Sequence, residues 1–321
     1  MRSPRLENRW VGVMDSPRWR RLRSNPTVER LLSGQMFRRL DTRRRQLLAA
    51  REAARHPELF AQVETVCVFI GHVKSGGTLL GAMIDAHPDA LVADEVDVLS
   101  RLEDGFGRRE LFEVLAKNSR REAMKGRVTA RRLGGYSLAI PDQWQGRHRV
   151  VRVIGVSRAG PTTRRLGDRP DRLDELRDFA SPARLRFIHV VRNPLDPIAA
   201  MVLRGGRSVE DATADYARQA ERAEQLRAKL SPYEYHTAHY EATLADPAAT
   251  VESLVQFLGL EHRPGHVAAC AALVDPGRPG ERGAVEWSSA QLEAVRDIVG
   301  SHAFLADYLD HIHVGGRRVQ P

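Results

Sequence analysis

Only two cysteines, Cys67 and Cys270, occur in the 321 residues. That scarcity argues against a disulfide framework, and Cys67, set inside an apolar run, reads as a small buried hydrophobe. A reducing, cytoplasmic setting is the corresponding expectation. Long hydrophobic runs are missing too. No stretch approaches the roughly 18 apolar residues of a membrane span. The basic N-terminus is not followed by the apolar segment of a secretory signal. The 12 histidines show no pairing with cysteines or carboxylates at ligand spacing, the weak pair His311 and His313 aside, so no metal site is expected.

Excess charge is absent from most of the chain. The formal net charge is +9, and residues 1–62, with 15 arginines against 6 acidic side chains, hold all of it. The remainder balances at 35 basic and 35 acidic residues. A nucleic-acid-binding core is therefore not expected, and any attraction to polyanions belongs to the tail, around Arg18, Arg20, Arg21 and Arg23. The expected organisation is an Arg-rich extension with a lead-in helix over residues 1–62, then one large domain over residues 63–321.

What is present is an alternation of short apolar runs and helical patterns. Val66–Ile70 is a continuous apolar run closed by Gly71, the pattern of a fully buried parallel strand. Leu79, Leu80, Met83 and Ile84 follow at helical spacing. Further strands are expected over Arg149–Ile154, Arg186–Val191 and Tyr235–Tyr240. Helices are expected near 108–125, after Pro194, over Asp211–Lys229, around Val251–Leu258 and over Ser289–Val299. Strands alternating with helices predict an α/β fold, three layers α/β/α around a central parallel sheet, of the P-loop nucleotide-binding type.

Between the first strand and its helix lies Gly71-His72-Val73-Lys74-Ser75-Gly76-Gly77-Thr78. Glycines let a backbone close around oxyanions, the first helical N–H groups point at them, and the helix dipole adds favourable charge. Lys74 supplies a cation; Ser75 and Thr78 supply hydroxyls. An ATP-binding Walker loop would place lysine directly before the last Ser/Thr. Gly77 stands there instead, and the lysine lies four residues before Thr78, suited to the 5′ end of a nucleotide.

This loop resembles the 5′-phosphosulfate loop of the sulfotransferases that use 3′-phosphoadenosine-5′-phosphosulfate (PAPS), whose pattern is Lys/Arg-Ser-Gly-Thr-Thr; Gly77 replaces the first Thr and Val73 the usual Pro. Leu79–Asp89, LLGAMIDAHPD, is similar to the following segment of tyrosylprotein and bacterial sulfotransferases. Phe187–Asp196, FIHVVRNPLD, looks like the family's 3′-phosphate signature, with Ala200 where a Ser is usual. Tyr240-Glu241, Asp246-Pro247 and Phe257–Leu260 resemble its strand–helix segment, whose Tyr lies near the adenine. The resemblance runs over about Val66–Leu309.

It implies PAPS as sulfuryl donor, no metal, and a hydroxyl-bearing acceptor on a small molecule, lipid, sugar or protein. Lys74, Ser75, Gly76, Gly77, Thr78 and Leu79 would hold the 5′ end. Arg192, Arg204 and Arg282 would face the 3′-phosphate, with Arg278 in the same loop as Arg282, and Tyr240 would face the adenine. Glu95 falls where the tyrosylprotein branch has its general base, with Asp94 and Asp97 as competing carboxylates. Arg158 stands where relatives carry a Lys beside the reacting centre. His189, inside a strand, is expected to be a core histidine. The basic stretch Arg120–Arg132 could meet an acidic acceptor, but charge runs are usually solvated faces, and a solvated face is the expectation. Two other readings remain open at this point: a P-loop kinase or NTPase, and a nucleotide-binding module whose activity Gly77 and Ala200 have impaired.

Overall fold

The computed structural model describes residues 35–129, 136–275 and 280–312. It forms two compact units, Met1–Ala54 and Arg55–Pro321. The first contains most of helix α1 (Gln35–Arg55). The second has its own apolar core, which begins with Phe60 and Val63. The tail arginines Arg18, Arg20, Arg21 and Arg23 lie outside the described residues, as do Arg131, Arg132, Arg278 and His313.

The second unit alternates strand and helix. In order it runs β1 (Thr65–Gly71), α2 (Gly77–Asp85), β2 (Ala90–Ala93), α3 (Val98–Glu103), α4 (Arg108–Met124), and the short hairpin β3 (Val128–Thr129) and β4 (Tyr136–Ser137). Then come β5 (Val153–Val156), α5 (Ala159–Asp168), α6 (Arg172–Ala180), β6 (Arg184–Val191), α7 (Leu195–Gly205) and α8 (Val209–Arg227). It finishes with β7 (Tyr235–His239), α9 (Tyr240–Ala245), α10 (Pro247–Leu258), α11 (Pro264–Ala271), a 3₁₀ turn at Arg282–Ala284, α12 (Ser289–Ser301) and a 3₁₀ segment, Ala303–His311.

Five strands make one parallel sheet in the order β2-β5-β1-β6-β7. Strand β1 reads TVCVFIG and is buried along its whole length, because both of its faces are covered. Val66, Val68 and Ile70 enter one apolar cluster with Leu111, Phe112 and Leu115 of α4 and Leu173, Leu176 and Phe179 of α6. Cys67 and Phe69 point the other way, to Leu80 and Met83 of α2 and Val251, Leu254 and Leu258 of α10. The period-2 alternation of a strand thus feeds two helical layers. Burying one such large side chain is worth about 1.5–3 kcal/mol, and this core fixes the strand ends that carry the polar loops.

Several expected boundaries move. The strand expected over Arg149–Ile154 is Val153–Val156, because the Arg149 and Arg152 side chains turn outward to Asp89 and Glu64. Strand β2 was not expected at all. It is four residues long and wholly buried, so no alternation marks it. Arg127 is not on a solvated face. Its guanidinium is buried against Asp85, which also accepts Val92 N–H at 2.6 Å, the Ser119 hydroxyl at 2.7 Å and Gly146 N–H at 3.0 Å. No helix among the described residues is long and apolar enough to cross a membrane.

Candidate functional site

The sheet order places a topological switch between β1 and β6: β2 and β5 lie on one side of β1, and β6 and β7 on the other. At such a point the connections run apart and leave a crevice at the carboxyl ends of the strands, where α/β sheets bind ligands. The glycine loop leaves the end of β1 at this crevice, and Arg192 follows the last residue of β6.

The loop is held from below. Gly71 N–H donates to Thr163 Oγ1 at 2.8 Å. His72 is buried, its ring stacked on Tyr216 with centroids 3.7 Å apart, and burial lowers its pKa to about 4. It is a neutral structural group. Lys74 and Gly76 both adopt left-handed backbone, φ 65 and φ 104, and turn the chain into α2. No side chain caps that helix. Leu79 N–H turns back to the Gly76 carbonyl at 3.0 Å, and the N–H groups of Gly77 and Thr78 before it are the ones placed for an anion. Lys74 and Val73 are exposed, while Ser75 is buried in the loop.

Arg192 joins three elements. Its Nε donates to Asp196 Oδ2 at 3.2 Å, an Nη donates to the Lys74 carbonyl at 3.2 Å, and the guanidinium lies 4.4 Å from the centre of the Tyr240 ring. The edge of that ring also lies against Gly76, 2.4 Å from where a Cβ would stand. The glycine loop, the end of β6 and the start of α9 are therefore one packed unit. Glu241 strengthens it: Oε1 accepts Asn193 N–H at 2.9 Å and Oε2 accepts the Tyr308 hydroxyl at 2.5 Å.

A C-terminal strap, residues 280–287, crosses to the same corner. Arg282 donates from its backbone N–H to Asp196 Oδ1 and from its guanidinium to Asp196 Oδ2, both at 3.0 Å. Arg204, at the far end of α7, is paired with Glu281 of the strap. Trp287 Nε1 donates to the Arg282 carbonyl at 3.0 Å and fixes the strap's exit.

On the other side of the loop, Glu95 follows the end of β2 with a left-handed backbone, φ 55. Its side chain is 65% exposed, and Oε2 lies 3.5 Å from Arg158 Nε. Crowding by surrounding protein and then the charge of Asp94 hold its carboxyl above the ordinary range, against the pull of Arg158 and Lys74. Asp94 is raised as well, chiefly by burial, although the Ser157 hydroxyl donates to it at 3.1 Å. Asp97 is fully committed. Oδ1 caps α3 by accepting Ser100 N–H at 2.9 Å, and Oδ2 pairs with both Arg158 and Arg165. His189 is buried, with Nδ1 2.6 Å from the Tyr235 hydroxyl and its pKa lowered by burial to about 3. It sits in the core and takes no part in the crevice.

Lys74, Ser75, Gly76, Gly77, Thr78 and Leu79 thus share the start of α2, and Arg192, Tyr240 and Arg282 meet beside it. Glu95 and Arg158 meet each other across the ends of β2 and β5. Of the carboxylates that organise these cations, Asp196 and Glu281 were not singled out from the sequence, and Asp97, expected as a competing base, instead caps α3 and pairs with Arg158 and Arg165. Asp196 stands one helical turn after Arg192, an i,i+4 spacing that marks such a pair.

The model of the sulfotransferase family matches residues 67–264. Among solved structures, a sulfotransferase from Mycobacterium avium is 12% identical, with 90% of this chain and 91% of that one covered at a TM-score of 0.48. The sulfotransferase domain of the Synechococcus PCC 7002 olefin synthase is 16% identical, covering 80% of this chain and 91% of that one at a TM-score of 0.42. A sulfotransferase from Alicyclobacillus acidocaldarius is 15% identical, covering 76% and 95% at a TM-score of 0.41. No curated protein matches.

Proposed function

Since the chain belongs to the sulfotransferase family, we propose that it takes the sulfuryl group from PAPS and passes it to an acceptor hydroxyl, with Glu95 as general base. The observation that carries this reading is the shared packing of the glycine loop and Arg192: Arg192 donates to the Lys74 carbonyl and lies over Tyr240, whose ring closes on Gly76. Two anion-holding elements at a fixed separation suit a nucleotide with phosphate at both its 5′ and 3′ positions.

The residues fit such a donor. The uncapped start of α2, with Ser75, Gly76, Gly77, Thr78 and Leu79, would cradle the 5′-phosphate. Arg192, Arg204 and Arg282 would face the 3′-phosphate, and the Tyr240 ring offers a flat surface to the base. The bound nucleotide supplies an activated sulfuryl group. Lys74, exposed on the loop, offsets negative charge growing on the 5′ oxygens of the leaving nucleotide. Glu95 takes the proton of the acceptor hydroxyl as the new S–O bond forms. Arg158 faces Glu95 and keeps a share of its charge ionised. Asp97, with both oxygens engaged, is unsuited to the base role. The buried, unpaired Cys67 and Cys270 are in keeping with a cytoplasmic setting.

Calorimetry tests the donor class. The product nucleotide, 3′-phosphoadenosine 5′-phosphate, should bind well without metal, and ATP poorly with or without Mg²⁺. Tighter binding of ATP than of the bisphosphate would defeat the proposal.

A further inference from the structure

Asp196 belongs to no step of the reaction, yet it is the most buried charged group at the crevice, with a side chain 2% exposed. It receives three hydrogen bonds from two directions. Arg192 Nε reaches Oδ2 from the preceding turn at 3.2 Å. Arg282, 86 residues later, reaches Oδ2 with its guanidinium and Oδ1 with its backbone N–H, both at 3.0 Å. A buried carboxylate is tolerated only when its lone pairs are satisfied, and here the two arginines and the strap backbone do so. Two guanidinium groups brought side by side would otherwise repel. The carboxylate between them removes that repulsion and fixes their spacing.

The strap is built around this group. A Cβ at Gly280 would stand 2.4 Å from Asp196 Oδ1, so only glycine lets the strap approach so closely. Glu281, next in the strap, pairs with Arg204 at the other end of α7. The strap is therefore clasped to both ends of one helix, and Asp196 is the buried end of the clasp.

We infer that Asp196 is a positioning residue that sets recognition of the nucleotide's 3′-phosphate, by holding Arg192 and Arg282 as a preformed pair. It touches no substrate atom. This inference rests on the donor reading above. It also runs against simple charge counting, which makes removal of a carboxylate beside two arginines improve phosphate binding. Preorganisation gives the opposite sign: without Asp196 each guanidinium must be ordered afresh by the ligand.

The test is calorimetry with 3′-phosphoadenosine 5′-phosphate and with adenosine 5′-phosphate, which lacks only the 3′-phosphate. The wild type should prefer the bisphosphate. Asp196→Asn should lower that preference about tenfold, the size of one lost charge-assisted contact. The loss should fall chiefly on the bisphosphate, which alone carries the 3′-phosphate, while adenosine 5′-phosphate should weaken by no more than about threefold, through the contacts of Arg192 with the Lys74 carbonyl and the Tyr240 ring. Gly280→Ala, which keeps every charge and pushes on the same carboxylate, should lower the preference in the same direction, and decides the matter should Asp196→Asn not fold. An unchanged ratio, tighter bisphosphate binding, or equal weakening of both nucleotides would overturn the inference and leave the donor reading standing. A wild type that binds the two nucleotides equally would overturn the donor reading itself, and this inference with it.

Discussion

The Tyr240 ring occupies the space that a side chain at Gly76 would need, its nearest edge 2.4 Å from an added Cβ. Gly76 also has φ 104, a conformation that an L-residue reaches at a cost of about 1–2 kcal/mol. Gly76→Ala should therefore weaken binding of 3′-phosphoadenosine 5′-phosphate by at least about tenfold, because the loop that holds the 5′-phosphate can no longer keep its conformation without that cost. Tyr240→Ala in the same chain should restore only part of the loss, because it removes the collision and leaves the backbone strain. Titration calorimetry on the single and double variants checks both statements.

Glu95→Gln should lower turnover by about 10²–10⁴-fold, the usual worth of a general base, and leave donor affinity unchanged. The base works ionised, so activity should rise with pH through the Glu95 pKa. That limb should lie above the ordinary carboxylate value, since crowding and Asp94 raise it. The linkage has a matching sign. A carboxyl whose folded-state pKa is raised makes folding less favourable as pH climbs past the unfolded value. Glu95→Gln should melt at a slightly higher temperature than wild type at neutral pH, and at the same temperature well below the unfolded pKa. A pH–rate profile and thermal melts at both pH values decide this.

Arg158→Ala removes the cation 3.5 Å from Glu95 and one partner of Asp97. The acid limb of the pH–rate profile should move to higher pH, because the Arg158 charge is the first of the influences, ahead of Lys74, that pull the Glu95 pKa down. Arg158→Lys should restore part of the displacement. A limb that does not move in Arg158→Ala would mean that the titrating group is not Glu95.

Arg127→Ala should be among the most destabilising single changes in the fold. The side chains of Arg127 and Asp85 are 5% and 1% exposed, and Asp85 is also bonded to Ser119 and to the Val92 and Gly146 backbone. Breaking one partner of such a pair costs about 3–5 kcal/mol. Exchanging both residues for apolar ones would leave the Val92 and Gly146 N–H groups without their acceptor, so Asp85→Leu/Arg127→Met should not rescue stability. Urea denaturation of the single and double variants measures both effects.

How much of this could be read from residues alone depended on the range of the interactions. Strand β1, the glycine loop and the Arg192 corner are written in contiguous segments, where a buried strand is a run of apolar residues and a helix start is a spacing. Strand β2 offers only Ala-Leu-Val-Ala after a turn, too short for any period to show. The start of β5 was misplaced because Arg149 and Arg152 look like members of an alternating strand, while their partners Asp89 and Glu64 lie 60 and 88 residues away. Distance in sequence hid the carboxylates of the crevice as well. Asp196 lies inside the quoted FIHVVRNPLD segment, but nothing local says that Arg282 will close on it. Arg127 looked solvated because its neighbours are charged, whereas its guanidinium reaches inward to the Val92 carbonyl and to Asp85, which also accepts the Gly146 N–H.

Cys67 in β1 and Cys270 in α11 are both fully buried in the same apolar cluster, and burial pushes each thiol up to about 12. A thiolate is the reactive form, so in the folded chain both are protonated and shielded at neutral pH. The pair is a built-in clock. A thiol reagent added to the native protein can react only when the central strand or the helix covering it opens, so the labelling rate reads out the lifetime of the core without any engineered probe. Repeating the measurement with the product nucleotide present would show directly how far occupation of the crevice slows that opening.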